Sequence, residues 1–186
     1  SLPWHWRMAL PLFSVADAAI RREAASIVLG NREGIIYEPA SKPFLREFEG
    51  LLIRDPDPGV RSLLAADPWT TPRTCWSLME DDSPEVWRAL VRGFEEAGRC
   101  KAREEFLFAS RKEVENLSRS RNPWYRACLL RWYQKDPVRG HYLARDSHWF
   151  VRAVAASSRR LRDSLREELL SDRERVVREI AGNRVR

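Results

Sequence analysis

The chain has 186 residues, of which 44% are hydrophobic and eight are tryptophan, so it can build a folded core. No stretch approaches about eighteen uncharged apolar residues, which argues against a transmembrane helix. Residues 1–92 carry eleven basic and thirteen acidic side chains and residues 93–186 carry 22 and 14, so the formal net charge of +6 comes from the second half. Of the 33 basic residues 29 are arginine; forked phosphate or carboxylate contacts would explain this bias, but we attribute it to codon usage.

The N-terminal segment does not begin with Met and resembles no complete signal peptide. We therefore expect the numbering to begin inside a longer gene product or after a tag, and we expect a cytoplasmic protein. Residues 12–30 echo the pattern described next, through Ile20, Arg21 and Ala24. Residues 1–44 are interpreted as a degenerate first repeat or cap followed by an irregular connection.

Residues 45–186 contain five copies of one pattern. Position zero of the pattern is held, at spacings of 26, 39, 26 and 26 residues, by Val60, Val86, Tyr125, Val151 and Val177. A leucine stands eight residues before position zero in every copy: Leu52, Leu78, Leu117, Leu143 and Leu169. Five residues before position zero stand Asp55, Asp81, Ser120, Asp146 and Asp172. Directly after position zero stand Arg61, Trp87, Arg126, Arg152 and Arg178. Repeats of this length are typical of helical solenoids.

Capping chemistry marks the second helix of three copies, at Asp57-Pro58, Ser83-Pro84 and Asn122-Pro123. An oxygen-bearing N-cap satisfies an orphan amide, and proline lacks only an amide that would have no partner there. Each copy is therefore predicted to be a short helix, a tight turn and a second helix, which buries its apolar face by stacking on its neighbours. The sequence predicts an all-α fold, an α-solenoid of about five to six repeats of about 26 residues.

The array is interrupted once. The 39-residue spacing contains an insertion of about half a repeat, at about residues 93–116. Within it, residues 102–114 have the pattern of a longer amphipathic helix.

The copies resemble known helical repeats. Asp-x-x-x-x-Val-Arg-x-x-x-Ala with a leucine upstream resembles HEAT-like α-solenoids, and the 26-residue period with the Ala181-Gly182-Asn183 ending is similar to the leucine-rich repeat variant family of bacteria. The resemblance covers about Leu45 to Arg186 and implies a right-handed superhelix of α-helices stacked against 3₁₀ helices. One type in that family carries a cysteine-ligated iron–sulfur module. The three scattered cysteines of this chain do not suggest that module, so we predict no cofactor.

The repeated aspartates and arginines are predicted to tie successive copies together. In HEAT-like arrays the aspartate caps a helix and the arginine bonds to a neighbouring turn, which makes a ladder along the stack. The predicted ladder consists of Asp55, Arg61, Asp81, Arg88, Arg126, Asp146, Arg152, Asp172 and Arg178. Direct ligand binding by these residues is the alternative. Residues off the repeat consensus are therefore better candidates for function.

The most basic segment off the consensus is residues 119–162, which has eleven Lys or Arg against two Asp, interleaved with aromatic residues. Basic groups attract phosphates and aromatic rings offer stacking faces, so the segment can form a nucleic-acid groove. The alternative, which we favour, is that the aromatic residues fill the core near the insertion and the arginines face solvent. The candidate binding surface comprises Arg119, Arg121, Trp124, Arg131, Trp132, His148, Trp149, Arg159, Arg160 and Arg162.

The segment around Trp149 also resembles the HEAT-like DNA glycosylases that remove alkylated bases, whose concave cleft carries Trp, Asp and Arg. Only Trp149 and Arg152 carry over by motif. Trp132 and Asp136 match the catalytic Trp-x-x-x-Asp spacing, but they lead into Pro137 and lie on the wrong side of the candidate arginine. The sequence therefore predicts no catalytic residues and no enzyme.

The function that these patterns favour is a bacterial, non-catalytic scaffold for protein–protein interaction. We expect its concave or basic surface to hold the partner, through off-consensus residues of the second helices. The alternative is a nucleic acid bound by the basic second half. His5, His141 and His148 have no metal-ligand spacing, so we predict no metal. We also predict no membrane partner, because no stretch is long and apolar enough to form a transmembrane helix.

Overall fold

A computed structural model of the chain describes residues 8–31, 42–100, 116–132, 142–159 and 161–183, without the side chains of residues 42–43, 97–100 and 130–132. The described residues form helices and connecting turns, with no strand among them. The predicted all-α class is therefore confirmed for this part of the chain. The chain divides into two compact units, Ser1–Gly93 and Phe94–Arg186, which are considered separately.

Both units are built from helices. The first unit contains the 3₁₀ helix Leu10–Ser14, α1 (Ala18–Gly30), α2 (Lys42–Leu52), α3 (Pro58–Ala66), α4 (Pro72–Leu78) and the first part of α5 (Pro84–Cys100). The second unit contains α6 (Pro123–Trp132), α7 (Trp149–Ser157), α8 (Asp163–Leu170) and α9 (Arg175–Asn183). Helical residues 116–118 and 142–144 precede α6 and α7. The amphipathic helix predicted at residues 102–114 lies outside the described residues.

Local capping sets the helix starts. Three helices begin at the proline that follows a capping residue: Pro58, Pro84 and Pro123. The carboxylate of Asp57 accepts a hydrogen bond from Val60 N at 3.0 Å, and Asn122 Oδ1 accepts one from Trp124 N at 2.9 Å. These bonds supply a side-chain acceptor to amides of the first helical turn, whose i−4 carbonyls lie outside the helix.

The buried stripe of the second helices forms the core. Four position-zero residues are at most 1% exposed: Val60, Val86, Val151 and Val177. Burying a side chain of this size stabilises the fold by about 1.5–3 kcal/mol relative to leaving it in water. Tyr125 is the exception at 37% exposure, and the preceding Trp124 instead packs inside, where it stacks on Phe150.

The second helices pack side by side, α1 on α3 in the first unit and α6 on α7 and α7 on α9 in the second. In the first unit α5 approaches the end of α3 closely at Gly93, where an added Cβ would lie 2.5 Å from Ala65 O. Every residue from Phe150 to Ser157 of α7 is buried. Within the described part of the chain, no helix is long and apolar enough to cross a membrane.

Candidate functional site

In four places an arginine of one copy binds the aspartate of the next copy with the same geometry. In the second unit, Nε and Nη2 of Arg152 donate to Asp172 at 2.7 and 2.9 Å, and both nitrogens of Arg126 donate to Asp146 at 2.8 Å. In the first unit, Arg61 donates to Asp81 at 2.7 and 3.0 Å. Forked, charge-assisted pairs of this kind are among the strongest protein hydrogen bonds.

Arg21, which the predicted ladder did not include, forms the first pair of the series. Its Nε and Nη2 donate to the carboxylate of Asp55 at 2.8 and 3.0 Å, and the two side chains are only 7% and 6% exposed. Its position after Ile20 corresponds to that of Arg61 after Val60. The signal was therefore present in the sequence, within a segment interpreted as a degenerate copy.

Each arginine is also held by the turn that precedes it. Nη1 of Arg152 donates to Asp146 O at 2.9 Å and to Ser147 O at 3.0 Å. Carbonyls six and five residues before the arginine accept in the same way from Arg21, Arg61, Arg126 and Arg178. Because Nη1 of each guanidinium is held by the preceding turn, the orientation of the edge that carries Nε and Nη2 is fixed as well.

Opposing effects act on the pKa values of two aspartates of the series, Asp81 and Asp172. Burial raises the pKa of Asp172, whereas the hydrogen bonds from Arg152 and from the amide of Glu174 lower it, and the net pKa lies below the usual value. Burial and Arg61 act on the pKa of Asp81 in the same opposing way, with the same net lowering. The carboxylates of Asp81 and Asp172 are therefore ionised at neutral pH, and their contacts with Arg61 and Arg152 are ion pairs.

The series changes at the insertion. Trp87 occupies the position of the ladder arginine in its copy, and Ser120 occupies the position of the aspartate in the next. Arg88, which the sequence placed in the ladder, stands one residue later, and its side chain is exposed. Ser120 keeps the capping half of the aspartate's role, because its Oγ accepts a hydrogen bond from Asn122 N at 3.2 Å. Trp87 and Ser120 thus lack the charges that the other copies carry at these positions.

Four described basic side chains of the predicted binding surface lie on the outside of the second unit. Arg119, Arg121, Arg159 and Arg162 are exposed. Among the described residues, no acidic side chain forms an ion pair with any of these four. The side chains of Arg131 and Trp132, and the whole of Arg160, lie outside the described part of the chain. Four exposed cations are therefore available to a ligand in this unit.

The two described tryptophans of the predicted surface belong to an aromatic cluster. Trp124 stacks on Phe150 with ring centroids 5.7 Å apart and meets Phe94 edge-on at 4.8 Å. Trp149 meets Phe150 edge-on at 5.8 Å. Both tryptophans are half-buried, so most of each ring face is used in packing and is not open to a stacked base.

His148, which also belongs to the predicted binding surface, is the N-cap of α7. Its Nδ1 accepts a hydrogen bond from Phe150 N at 3.2 Å. Burial lowers the pKa of the imidazole, and the nearby Arg126 lowers it further against the opposing charge of Asp146. The neutral ring can accept this hydrogen bond, whereas a protonated ring has no free lone pair at Nδ1. A capping role therefore accounts for the residue without a ligand.

A groove of about 410 Å³ opens across α1, α3 and α5 in the first unit. Its lining consists of Ala19, Arg22, Glu23, Ser26, Gly59, Ser62, Leu63 and Glu85. These residues stand one before, or two, three or six after, position zero of their copies, with Ile20 as position zero in α1, so they share one helix face. None of them occupies a repeated Leu, Asp, Val or Arg position, although Glu23 and Leu63 stand three after position zero, where Val154 of α7 is buried. The groove is thus built from positions that can vary without breaking the ladder.

Arg22 lies across this groove and is neutralised there. Its Nε and Nη2 each donate to Asp57 at 2.8 Å, and its side chain is 51% exposed. A Cβ added to Gly59 would lie 2.5 Å from Nε of Arg22, so the guanidinium rests directly on the backbone of α3. Because Arg22 is matched by Asp57, the carboxylates of Glu23 and Glu85 leave the groove with a negative balance.

The residues that the structure describes contain no group of three or more His, Cys, Asp or Glu side chains that could hold a metal ion. Comparison with protein-family models, with curated proteins and with solved structures finds no match to this chain.

Proposed function

We propose that this chain is a helical-repeat scaffold, a right-handed α-solenoid similar to HEAT-like and leucine-rich repeat variant arrays, that binds another protein. The recurrence of one Arg–Asp pair, with the same attachment points in four places, supports the proposal. A stacked array requires such a fixed link between successive copies. Consensus residues are used for packing and for these links, so off-consensus residues are left to contact a partner.

The groove across α1, α3 and α5 is the surface that we assign to the partner. Three second helices contribute to it, which is the way that solenoids present an extended binding face. The negative balance from Glu23 and Glu85 favours a partner segment that carries Lys or Arg side chains. The mixture of carboxylates, hydroxyls and the apolar Leu63 also suits a peptide segment better than a small apolar ligand.

Site-specific photocrosslinking tests this assignment. A photoreactive residue replaces exposed Ser26 in the groove, and in a control chain it replaces Glu80, an exposed residue after α4. In extract from the source cells, Ser26 is expected to give one discrete protein adduct that is absent at Glu80 and lost in the charge-reversal variant E23K/E85K. Identical adducts at both positions, or an adduct that survives charge reversal, would show that the groove is not the binding face.

A second candidate function is binding of a nucleic acid by the second unit. The observation that favours it is the set of four exposed arginines without an acidic partner among the described residues: Arg119, Arg121, Arg159 and Arg162. If they contact duplex phosphates, log K falls with log salt concentration by about 0.9 per contact. R119A/R121A is expected to flatten this slope, whereas R145A, which removes an arginine already paired with Glu168, is not. Absence of binding to duplex and single-stranded DNA at low salt excludes this candidate.

A further inference from the structure

The turns before α6, α7 and α9, at residues 119–121, 145–147 and 171–173, form a row along one edge of the second unit. Arg126 contacts the first two turns, because its Nη1 donates to Ser120 O at 2.7 Å and its Nε donates to Asp146 at 2.8 Å. Arg173 connects the third turn to the second, since its Nη2 donates to Ser147 O at 2.9 Å. Helices that pack side by side stand about 8–10 Å apart, so the turns follow one another at about that spacing.

This row of turns is basic. Four and six residues before position zero, on either side of the repeated aspartate position, the second unit has arginines and no acidic residue: Arg119, Arg121, Arg145 and Arg173. At the same positions the first unit has one arginine and two acidic residues: Arg54, Glu80 and Asp82. The excess of positive charge on these turns is therefore a property of the second unit.

Three arginines of the row offer charge to a ligand. Arg119 and Arg121 are exposed, and no acidic side chain among the described residues pairs with them. Between them stands Ser120, where the other four copies carry an aspartate. Arg173 is 71% exposed, and its Nε lies 3.8 Å from the carboxylate of Glu174, which is beyond hydrogen-bond length. The two outer turns of the row are thus cationic.

An exposed aromatic ring belongs to the middle turn. Tyr142 is 71% exposed, more than any other aromatic side chain that the structure describes. It begins the short helical segment 142–144 that leads into this turn, and its carbonyl accepts a hydrogen bond from Arg145 N at 3.3 Å. The unpaired bases of a single strand stack on rings of this kind, whereas the paired bases of a duplex are already stacked on one another.

The other two exposed arginines lie at the opposite edge of the unit. Arg159 and Arg162 follow the end of α7, whose nine residues span about 14 Å. Buried Arg166 of α8 donates to Ala156 O and to Ser158 O at 2.8 Å, which fixes the start of α8 at that end of α7. The four exposed arginines therefore do not form one surface, and only Arg119 and Arg121 belong to the row of turns.

We infer that the row of turns binds a single-stranded nucleic acid, with phosphates at Arg119, Arg121 and Arg173 and a base stacked on Tyr142. The inference rests on the second candidate function, to which it assigns a surface and a strand form. About three nucleotides, at about 3.4 Å each, cover the distance from one turn to the next. Arginines of successive turns can therefore follow one phosphate backbone, and each guanidinium can donate two parallel hydrogen bonds to a phosphate.

Fluorescence anisotropy of a labelled oligo-dT of about sixteen nucleotides, titrated with the full chain at several salt concentrations, tests this surface. R119A/R121A is expected to reduce the salt slope by about 1.4, at about 0.7 for each phosphate contact on a single strand. R159A/R162A is the matched control, because it removes the same charge from the opposite edge, and it should leave the slope unchanged.

The stacking contact is tested with the same probe. Tyr142→Ala is expected to weaken binding about tenfold or more without changing the salt slope, because it removes a ring and no charge. Tyr142→Phe keeps the ring and should bind as the wild-type chain does. The side chain is exposed, so neither change disturbs the core.

Several results would overturn the inference. Equal flattening of the slope by the two double variants would assign binding to overall charge, and unchanged affinity in Tyr142→Ala would remove the stacking contact. Tighter binding to the dT–dA duplex would contradict the strand form, and displacement by poly-glutamate at equal charge concentration would assign the row to an acidic polypeptide. A slope that responds only to R159A/R162A overturns the inference and leaves the second candidate function standing, whereas absence of any binding at low salt overturns both.

Discussion

Arg152 and Asp172 form a bidentate ion pair in which the side chains are 7% and 8% exposed. Arg145 and Glu168 form a pair at a similar distance, 2.8 Å, but their side chains are 55% and 50% exposed. Water competes for the second pair and is largely excluded from the first. Loss of the arginine from the Arg152–Asp172 pair therefore leaves a buried, unmatched charge. Loss of the arginine from the Arg145–Glu168 pair leaves a charge that water solvates.

Arg152→Ala is expected to lower the free energy of unfolding by about 3–5 kcal/mol, because it leaves the carboxylate of Asp172 buried without its counter-charge. The carbonyls of Asp146 and Ser147 also lose the hydrogen bonds from Arg152 in this variant, although Ser147 O still accepts one from Arg173 Nη2 at 2.9 Å. Urea unfolding followed by circular dichroism measures the change. Arg145→Ala is the matched control, with an expected loss below about 1 kcal/mol. If the two variants lost equal stability, the buried pair would have no special role in the fold.

Acid should weaken the fold through the same aspartates. The folded-state pKa of Asp81 and of Asp172 lies below the ordinary 3.8, so the contribution of these pairs is complete above that pH and is lost as the pH falls through the folded pKa. The unfolding free energy of the wild-type chain is therefore expected to fall steeply below about pH 4. Asp172→Asn should reduce this slope while lowering stability at neutral pH. A slope that Asp172→Asn leaves unchanged would assign the acid sensitivity to other carboxylates.

Gly93 is predicted to be essential for the contact between α3 and α5. An added Cβ would lie 2.5 Å from Ala65 O and 2.8 Å from Ala66 O, and backbone cannot yield as a flexible side chain can. Gly93→Ala should lower the free energy of unfolding by about 1–3 kcal/mol, although alanine has the better helix propensity. Gly50→Ala in α2 is the control, because nothing lies within 4 Å of its added Cβ. That substitution should leave Tm unchanged or raise it, and a Gly93→Ala chain that does the same would contradict the close approach.

Much of the fold follows from local sequence patterns, and the exceptions have physical reasons. Helix starts at Pro58, Pro84 and Pro123 depend on adjacent residues only, so they could be predicted. Arg21 escaped the predicted ladder because its copy lacks the aspartate, although its own role requires only a partner in the next copy. Tyr125 is exposed because its neighbour Trp124 packs against Phe150 instead. Hydrophobic periodicity does not predict which of two adjacent aromatic residues is buried.

The candidate sites were less predictable than the fold. The groove requires three helices to lie side by side, and its residues share no motif in the sequence. Of the aromatic residues of the basic segment, Trp124 and Trp149 pack against Phe150, whereas Tyr125 and Tyr142 are exposed.

His148 provides a prediction in which a binding role and a capping role have different consequences. Because His148 is the N-cap of α7, His148→Ala should lower the free energy of unfolding by about 1 kcal/mol. His148→Asn keeps an acceptor for the amide of Phe150, so it should preserve most of the stability. Because the folded-state pKa of His148 lies below 6.5, the unfolded chain takes up the proton first, and stability falls as the pH drops below about 6.5. Thermal unfolding at pH 7.5 and 5.5 should therefore show a decrease in Tm for the wild-type chain that is smaller in His148→Asn. An equal decrease in both chains would mean that the imidazole is not the acceptor at this helix start, and would return His148 to the set of residues available for a ligand.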